Sequence, residues 1–163
     1  MKNLVRRGVA LLAGAVSVPL CTLPRIPEPA STGYRQDPRL DTLRRFFGKT
    51  HCPALTYAPV FLEAADRNGL DWRLLPSISF VESTGGKAAP NNNFFGWDSG
   101  RAKFSSPAAG IQAVAYRLTH ISRYLNKSLD QKLAIYNRSA GYGRKVKSIM
   151  RRIAPSEESA DGS

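Results

Sequence analysis

The stretch LDWRLLPSISFVESTGGK, residues 70–87, reads as one helix with a signal at each end. Asp71 is placed to cap a helix from Trp72 to Ser83, and Leu74, Leu75, Ile78 and Val81 recur along it at helical spacing. Pro76 falls within its first turn and a half, where a missing N–H does least harm. The exit is Ser83-Thr84-Gly85-Gly86, where glycine can take the left-handed conformation that ends a helix. Glu82 sits at the end of this nearly apolar helix, so its carboxyl leaves the core and faces the next loop. Partial desolvation and the negative end of the helix both disfavour its charged form. A carboxyl that keeps its proton near neutral pH is what a general acid for glycoside cleavage requires. Taken alone, though, a helix-terminal glutamate is more often simply solvated.

Working outward, the chain from Pro38 to Ala154 shows helix patterns and almost no strand patterns, which predicts a mainly α fold. Leu40, Leu43, Phe46 and Phe47 form a helical stripe that Gly48 stops. Tyr57 to Asn68 carries Val60, Phe61, Ala64 and Ala65 on one side and ends at Gly69. Ser106 caps and Pro107 opens the longest helix, whose stripe runs Ile111, Val114, Ala115, Leu118, Ile121 and Leu125. Ser128 and Gln131 have capping-box spacing and start another helix, with Leu129, Leu133 and Ile135. A last helix from Gly143 to Ile153 turns Val146, Ile149, Met150 and Ile153 inward. Its outer face bears Arg144, Lys145, Lys147, Arg151 and Arg152, a pattern read as a solvated face rather than a nucleic-acid surface.

Residues 84–105 (TGGKAAPNNNFFGWDSGRAKFS) break the helical pattern. A long loop inside a small domain is usually functional. It carries Phe94, Phe95 and Trp97, whose faces suit the apolar C–H faces of sugar rings. The alternative is that these aromatics plug the core from the loop. Asp98 is its only carboxylate and the candidate second carboxylate of a paired mechanism, although Asp-Ser-Gly is also an ordinary turn.

The ends read differently. Residues 1–23 (MKNLVRRGVALLAGAVSVPLCTL) join a basic start to an apolar run from Gly8 to Leu20. That run is too short for the roughly 30 Å hydrocarbon core, so it is expected to be a signal peptide or short membrane anchor. A buried first helix is the other reading. Residues 24–37 are Pro-rich and polar, a linker; residues 38–154 are the domain; residues 155–163 are an acidic tail. The 163 residues include 24 Lys and Arg against 12 Asp and Glu, a net charge of +12. Most of that excess lies beyond residue 30, so the domain itself is basic and favours an anionic partner. Two cysteines, Cys21 and Cys52, and two histidines, His51 and His120, offer no zinc ligand cluster and no disulfide framework. No metal and no cofactor is expected.

LDWRLLPSISFVESTGGK, then NNNFFGW (91–97), KFSSPAAGI (103–111) and LAIYNRSAGYGRKV (133–146), together resemble the glucosaminidase family of bacterial cell-wall hydrolases. The last segment is also similar to lytic transglycosylases. The resemblance covers about residues 54–153 and implies a lysozyme-like helical domain with a long cleft-lining loop. It also implies that Glu82 is the general acid and that Tyr136 supports the cationic sugar or positions its N-acetyl group. Asn92, Asn93, Phe94 and Gly96 would shape the cleft, with Asn137 beside Tyr136 and Trp97 as a sugar platform. The loop has one Asn and one Phe more than the family pattern. The expected protein is therefore an exported, monomeric envelope enzyme acting on peptidoglycan glycan strands. It is not expected to bind nucleic acid, and would touch membrane only through its N-terminal segment. The rivals are a lytic transglycosylase and a non-catalytic wall-binding module. A DNA-binding protein would require that residues 1–23 are not a signal.

Overall fold

The computed structural model describes residues 33–155; the expected signal segment, Cys21, most of the linker and nearly all of the acidic tail lie outside them. Within them the chain is mainly α. Six α-helices and two short 3-10 turns are joined by loops, and there is no strand among the described residues.

The first helix, α1 (Pro38–Lys49), begins at Asp37, whose carboxylate accepts from the Arg39 N–H at 2.9 Å. Residues 33–37, read as the end of a linker, are thus part of the fold. The Tyr34 hydroxyl donates to Asp66 at 2.9 Å, and the Arg39 guanidinium grips both Asp66 oxygens at 2.9 Å. This ties the entry of the domain to the far end of α2 (Ala58–Arg67). A 3-10 turn at Pro53–Tyr57 precedes α2, so that helix starts one residue later than its pattern suggests.

α3 (Leu74–Ser83) also starts later than Trp72. Pro76 has no N–H to offer the Trp72 carbonyl, so the ladder opens with Ser77 donating to Arg73 at 3.1 Å. Asp71 instead receives the Arg73 N–H at 2.9 Å and holds the turn before the helix. The Arg73 guanidinium reaches across to the carbonyls of Ala154 and Pro155 at 3.0 and 2.9 Å, fastening the segment after the last helix to the start of α3.

α4 (Pro107–His120) opens on the expected Ser106 cap, whose hydroxyl accepts from Ala109 at 3.1 Å. It ends at His120, short of Leu125. Ile121 turns extended and the next turn swings Tyr124 into the core, while Leu125 is left half exposed. α5 (Leu129–Tyr136) has both bonds of its capping box, and α6 (Tyr142–Ile153) buries Val146, Ile149, Met150 and Ile153 as expected.

α3 packs chiefly on α6, and α2 on α4; α1 lies against α2 and α6. A chain of aromatic rings runs through the interior. Phe46 meets Phe47 at 5.5 Å, Phe47 meets Phe61 at 5.6 Å, and Phe61 meets Phe95 at 6.3 Å between centroids. Phe95 comes from the long loop and is fully buried. The loop is therefore anchored in the core.

Candidate functional site

Glu82 occupies the last turn of α3, and the way that helix ends sets its surroundings. Thr84 takes a left-handed conformation (φ 53°), and Gly85 returns its N–H to Ser79 at 3.1 Å, closing the helix. Ser83, beside Glu82, points the other way and is buried. Its hydroxyl contacts the Phe94 carbonyl at 2.8 Å and accepts from the Gly86 N–H at 2.9 Å. A Cβ on Gly86 would lie 2.6 Å from the Phe94 ring. The Glu-Ser pair thus divides its work, one side chain toward the loop surface and one pinning the loop to the helix.

The pinned loop comes back across Glu82 at Gly96. A Cβ there would stand 2.8 Å from the carboxyl Oε2, and Gly96 has φ +57°. Only glycine lets the backbone approach the carboxyl so closely without strain. Burial pushes the Glu82 pKa up, opposed by the nearby Tyr142 hydroxyl. Glu82 Oε1 and the Tyr142 hydroxyl are both buried and lack a partner of good hydrogen-bond geometry, although the hydroxyl lies close enough to favour the charged carboxylate. The carboxyl is thus shielded, yet no cation among the described residues pairs with it.

Two tyrosines stand behind it. The Tyr136 and Tyr142 rings stack at 5.9 Å and 5°, and Trp97 meets Tyr136 edge-on at 5.7 Å. Burial, reinforced by the Glu82 charge, raises the Tyr136 phenol well above its ordinary range. Its proton is committed, because the hydroxyl donates to the Phe95 carbonyl at 2.6 Å. Tyr136 therefore braces the loop as well as neighbouring Glu82.

Gly96, Trp97, Asp98, Tyr124, Ile135 and Tyr136 line a cleft of about 450 Å³, together with Arg117 and Arg123. Glu82 lies behind its Gly96 and Tyr136 wall and is not among the lining residues. Trp97 is partly exposed and positioned by Asn93, whose amide accepts from the Trp97 N–H at 2.9 Å and donates to its carbonyl at 3.0 Å. Asn92 donates to the Phe104 carbonyl at 2.9 Å. Asn92 and Asn93, expected to meet substrate, spend their amides on the loop's own backbone. Phe94, also expected at substrate, is buried against Gly86 and Tyr57 and offers no free face. Both phenylalanines of the loop follow the core-plug alternative, packed into the core at 4% and 0% exposure. Asn137 caps a turn by accepting from Ser139 at 2.9 Å and lines a different cavity, with Tyr142, Arg138, Arg144 and Lys147.

Asp98 sits at the cleft rim, more than half exposed, and pairs with Arg101 at 2.9 Å. It is the only carboxylate among the residues lining the cleft. Among the described residues, no cluster of three or more His, Cys, Asp or Glu side chains could hold a metal ion. No helix among them is long and apolar enough to cross a membrane.

No family model, curated protein or solved structure compared with this chain matches it.

Sequence reasoning missed Tyr142, Arg117 and Arg123. Tyr142 lies between Gly141 and Gly143, a spacing that signals close approach of neighbouring groups. The two arginines carried no signal, since on a helical stripe they read as ordinary solvated positions.

Proposed function

We propose that this domain is a peptidoglycan hydrolase that cleaves the β-1,4 bond between N-acetylglucosamine and N-acetylmuramic acid, with Glu82 as the general acid. The observation that carries this reading is the Glu82 carboxyl itself. It is raised in pKa by burial, unpaired with any cation among the described residues, and approached by the loop backbone at a glycine beside a cleft with an aromatic wall. The order of segments in the chain, which resembles the glucosaminidases, supports the choice of substrate.

In the proposed reaction Glu82 gives its proton to the leaving glycosidic oxygen as the C1–O bond breaks, then takes one from the attacking water. Asp98 is tied to Arg101 at the rim, so a single carboxylate serves both steps. The substrate's own N-acetyl oxygen then shields the cationic carbon before water arrives. Trp97 supplies an apolar edge for a sugar ring. A lytic transglycosylase would instead break the bond at the muramyl C1, where the same sugar's C6 hydroxyl attacks in place of water and leaves a 1,6-anhydro end.

The test is mass spectrometry of fragments released from purified wall by the full chain. Reducing N-acetylglucosamine ends are the expected product; 1,6-anhydromuramyl ends would make it a transglycosylase, and binding without release a wall-binding module. Asp98→Asn should remain active in the same assay. An Asp98→Asn protein as inert as Glu82→Gln would overturn the single-carboxylate mechanism.

A further inference from the structure

The cleft holds two positive charges that the proposed bond cleavage does not use. The guanidinium carbons of Arg117 and Arg123 lie 5.2 and 5.7 Å from the centroid of the same Trp97 ring. Arg117 also lies over Phe104 at 5.8 Å, and Arg123 over Tyr124 at 4.9 Å. Neither arginine forms an ion pair with a carboxylate among the described residues, and Arg117 Nη1 is buried without a hydrogen-bond partner. Asp98, the one carboxylate lining the cleft, is engaged by Arg101.

Two like charges held over one ring repel each other, and aromatic faces compensate a desolvated cation only in part. An anion entering the cleft relieves both costs, and a guanidinium fork matches a carboxylate well. From this we infer that Arg117 and Arg123 form a carboxylate subsite beside the Trp97 platform, selecting glycan strands that carry acidic substituents over neutral ones. This inference rests on the glycan reading above and deepens it. On a wall strand the carboxylate has two sources, the lactyl group of unsubstituted N-acetylmuramic acid and the free carboxylates of a stem peptide.

The experiment uses the full-length Glu82→Gln protein, which binds without turning over, in a Trp72→Phe background. The chain has two tryptophans, so Trp97 then reports alone by its fluorescence. Three probes are titrated: a GlcNAc–MurNAc disaccharide with its lactyl carboxylate free, the same disaccharide with that group amidated, and the disaccharide bearing a dipeptide with free carboxylates. The expected result is binding about tenfold or more tighter for at least one carboxylate-bearing probe than for the amidated one, the size of a charge-assisted hydrogen bond. That preference should shrink with added salt. It should also fall towards one in Arg117→Gln and Arg123→Gln. The free-lactyl and dipeptide probes distinguish the two sources.

Equal affinity for all three probes, or no binding by any, overturns the subsite. So does a preference that survives both substitutions. If Arg117→Gln fails to fold, the comparison among probes on the unsubstituted arginines, together with exposed Arg123→Gln, still decides. Wall digestion by the unmutated chain tests the hydrolase reading separately. A protein that releases fragments but ignores the carboxylate loses the subsite and keeps the proposed function.

Discussion

The Glu82 carboxyl is the residue on which the proposed chemistry turns. Glu82→Gln keeps the side-chain shape and removes the transferable proton, so turnover should fall by about 10²–10⁴-fold while folding survives. The pH dependence has a definite sign. Burial raises the folded pKa above the ordinary glutamate value, so the folded state holds this proton more tightly than the unfolded chain does. Stability from Glu82 is therefore full at low pH and declines as pH rises from the ordinary glutamate range through the raised value. Activity that needs the protonated acid declines through the same raised value. Melting curves of Glu82→Gln should lack this component, and the alkaline limb of the rate profile should lie above the range of an ordinary glutamate. Gly96 offers a second test. An alanine there takes on a left-handed φ and places its Cβ 2.8 Å from Oε2, so the loop must shift. Gly96→Ala should lose about 1–2 kcal/mol from backbone strain alone, read by thermal melting. Its activity should fall further than that loss of stability explains.

At the scale of elements, the loop between α3 and α4 behaves as a built part. Phe94 and Phe95 anchor it, Ser83 ties it to α3, the Asn93 amide clasps Trp97, and Tyr136 of α5 holds the Phe95 carbonyl. Tyr136→Phe keeps the ring and its stacking but leaves that carbonyl without its donor. The cost should be about 1–3 kcal/mol in denaturant unfolding, the range for an abandoned buried partner. Activity should fall with it, since Gly96 is the next residue along the loop. A Tyr136→Phe protein of full stability but low activity would instead assign the hydroxyl to the reacting sugar.

At the scale of the whole fold, arginines fasten both ends of the described residues. Arg39 binds Asp37 and Asp66, and its guanidinium holds both carboxyls below the usual aspartate range. Stability from this group is present above that range and disappears as pH falls through the lowered values. Arg39→Gln should lower the melting temperature at pH 7, and the deficit should shrink as pH falls through the lowered aspartate values. A deficit that stays constant as pH falls would show that Arg39 contributes only packing. Arg73 does the matching task at the other end by holding the carbonyls of Ala154 and Pro155.

Helix identity and the inward faces were legible in the residues themselves. Period and caps are local properties, and the stripe of α6, the capping box of Ser128 and Gln131, and the Ser106–Pro107 start needed no neighbours to be read. Glu82 was legible for the same reason, as a carboxyl at the end of an apolar helix. Helix boundaries at Leu74 and His120 depend on hydrogen bonds and turns that periodicity does not encode. The roles of the loop residues were less legible still. Whether Phe94 faces a sugar or the core depends on Gly86 leaving room for its ring, and whether Asn93 meets substrate depends on Trp97 lying within reach of its amide. The Tyr136 hydroxyl found its acceptor 41 residues away, and Arg117 and Arg123 share a ring that only folding brings within reach of both. Such contacts join distant parts of the chain, and a pattern read along the chain carries no distance across it.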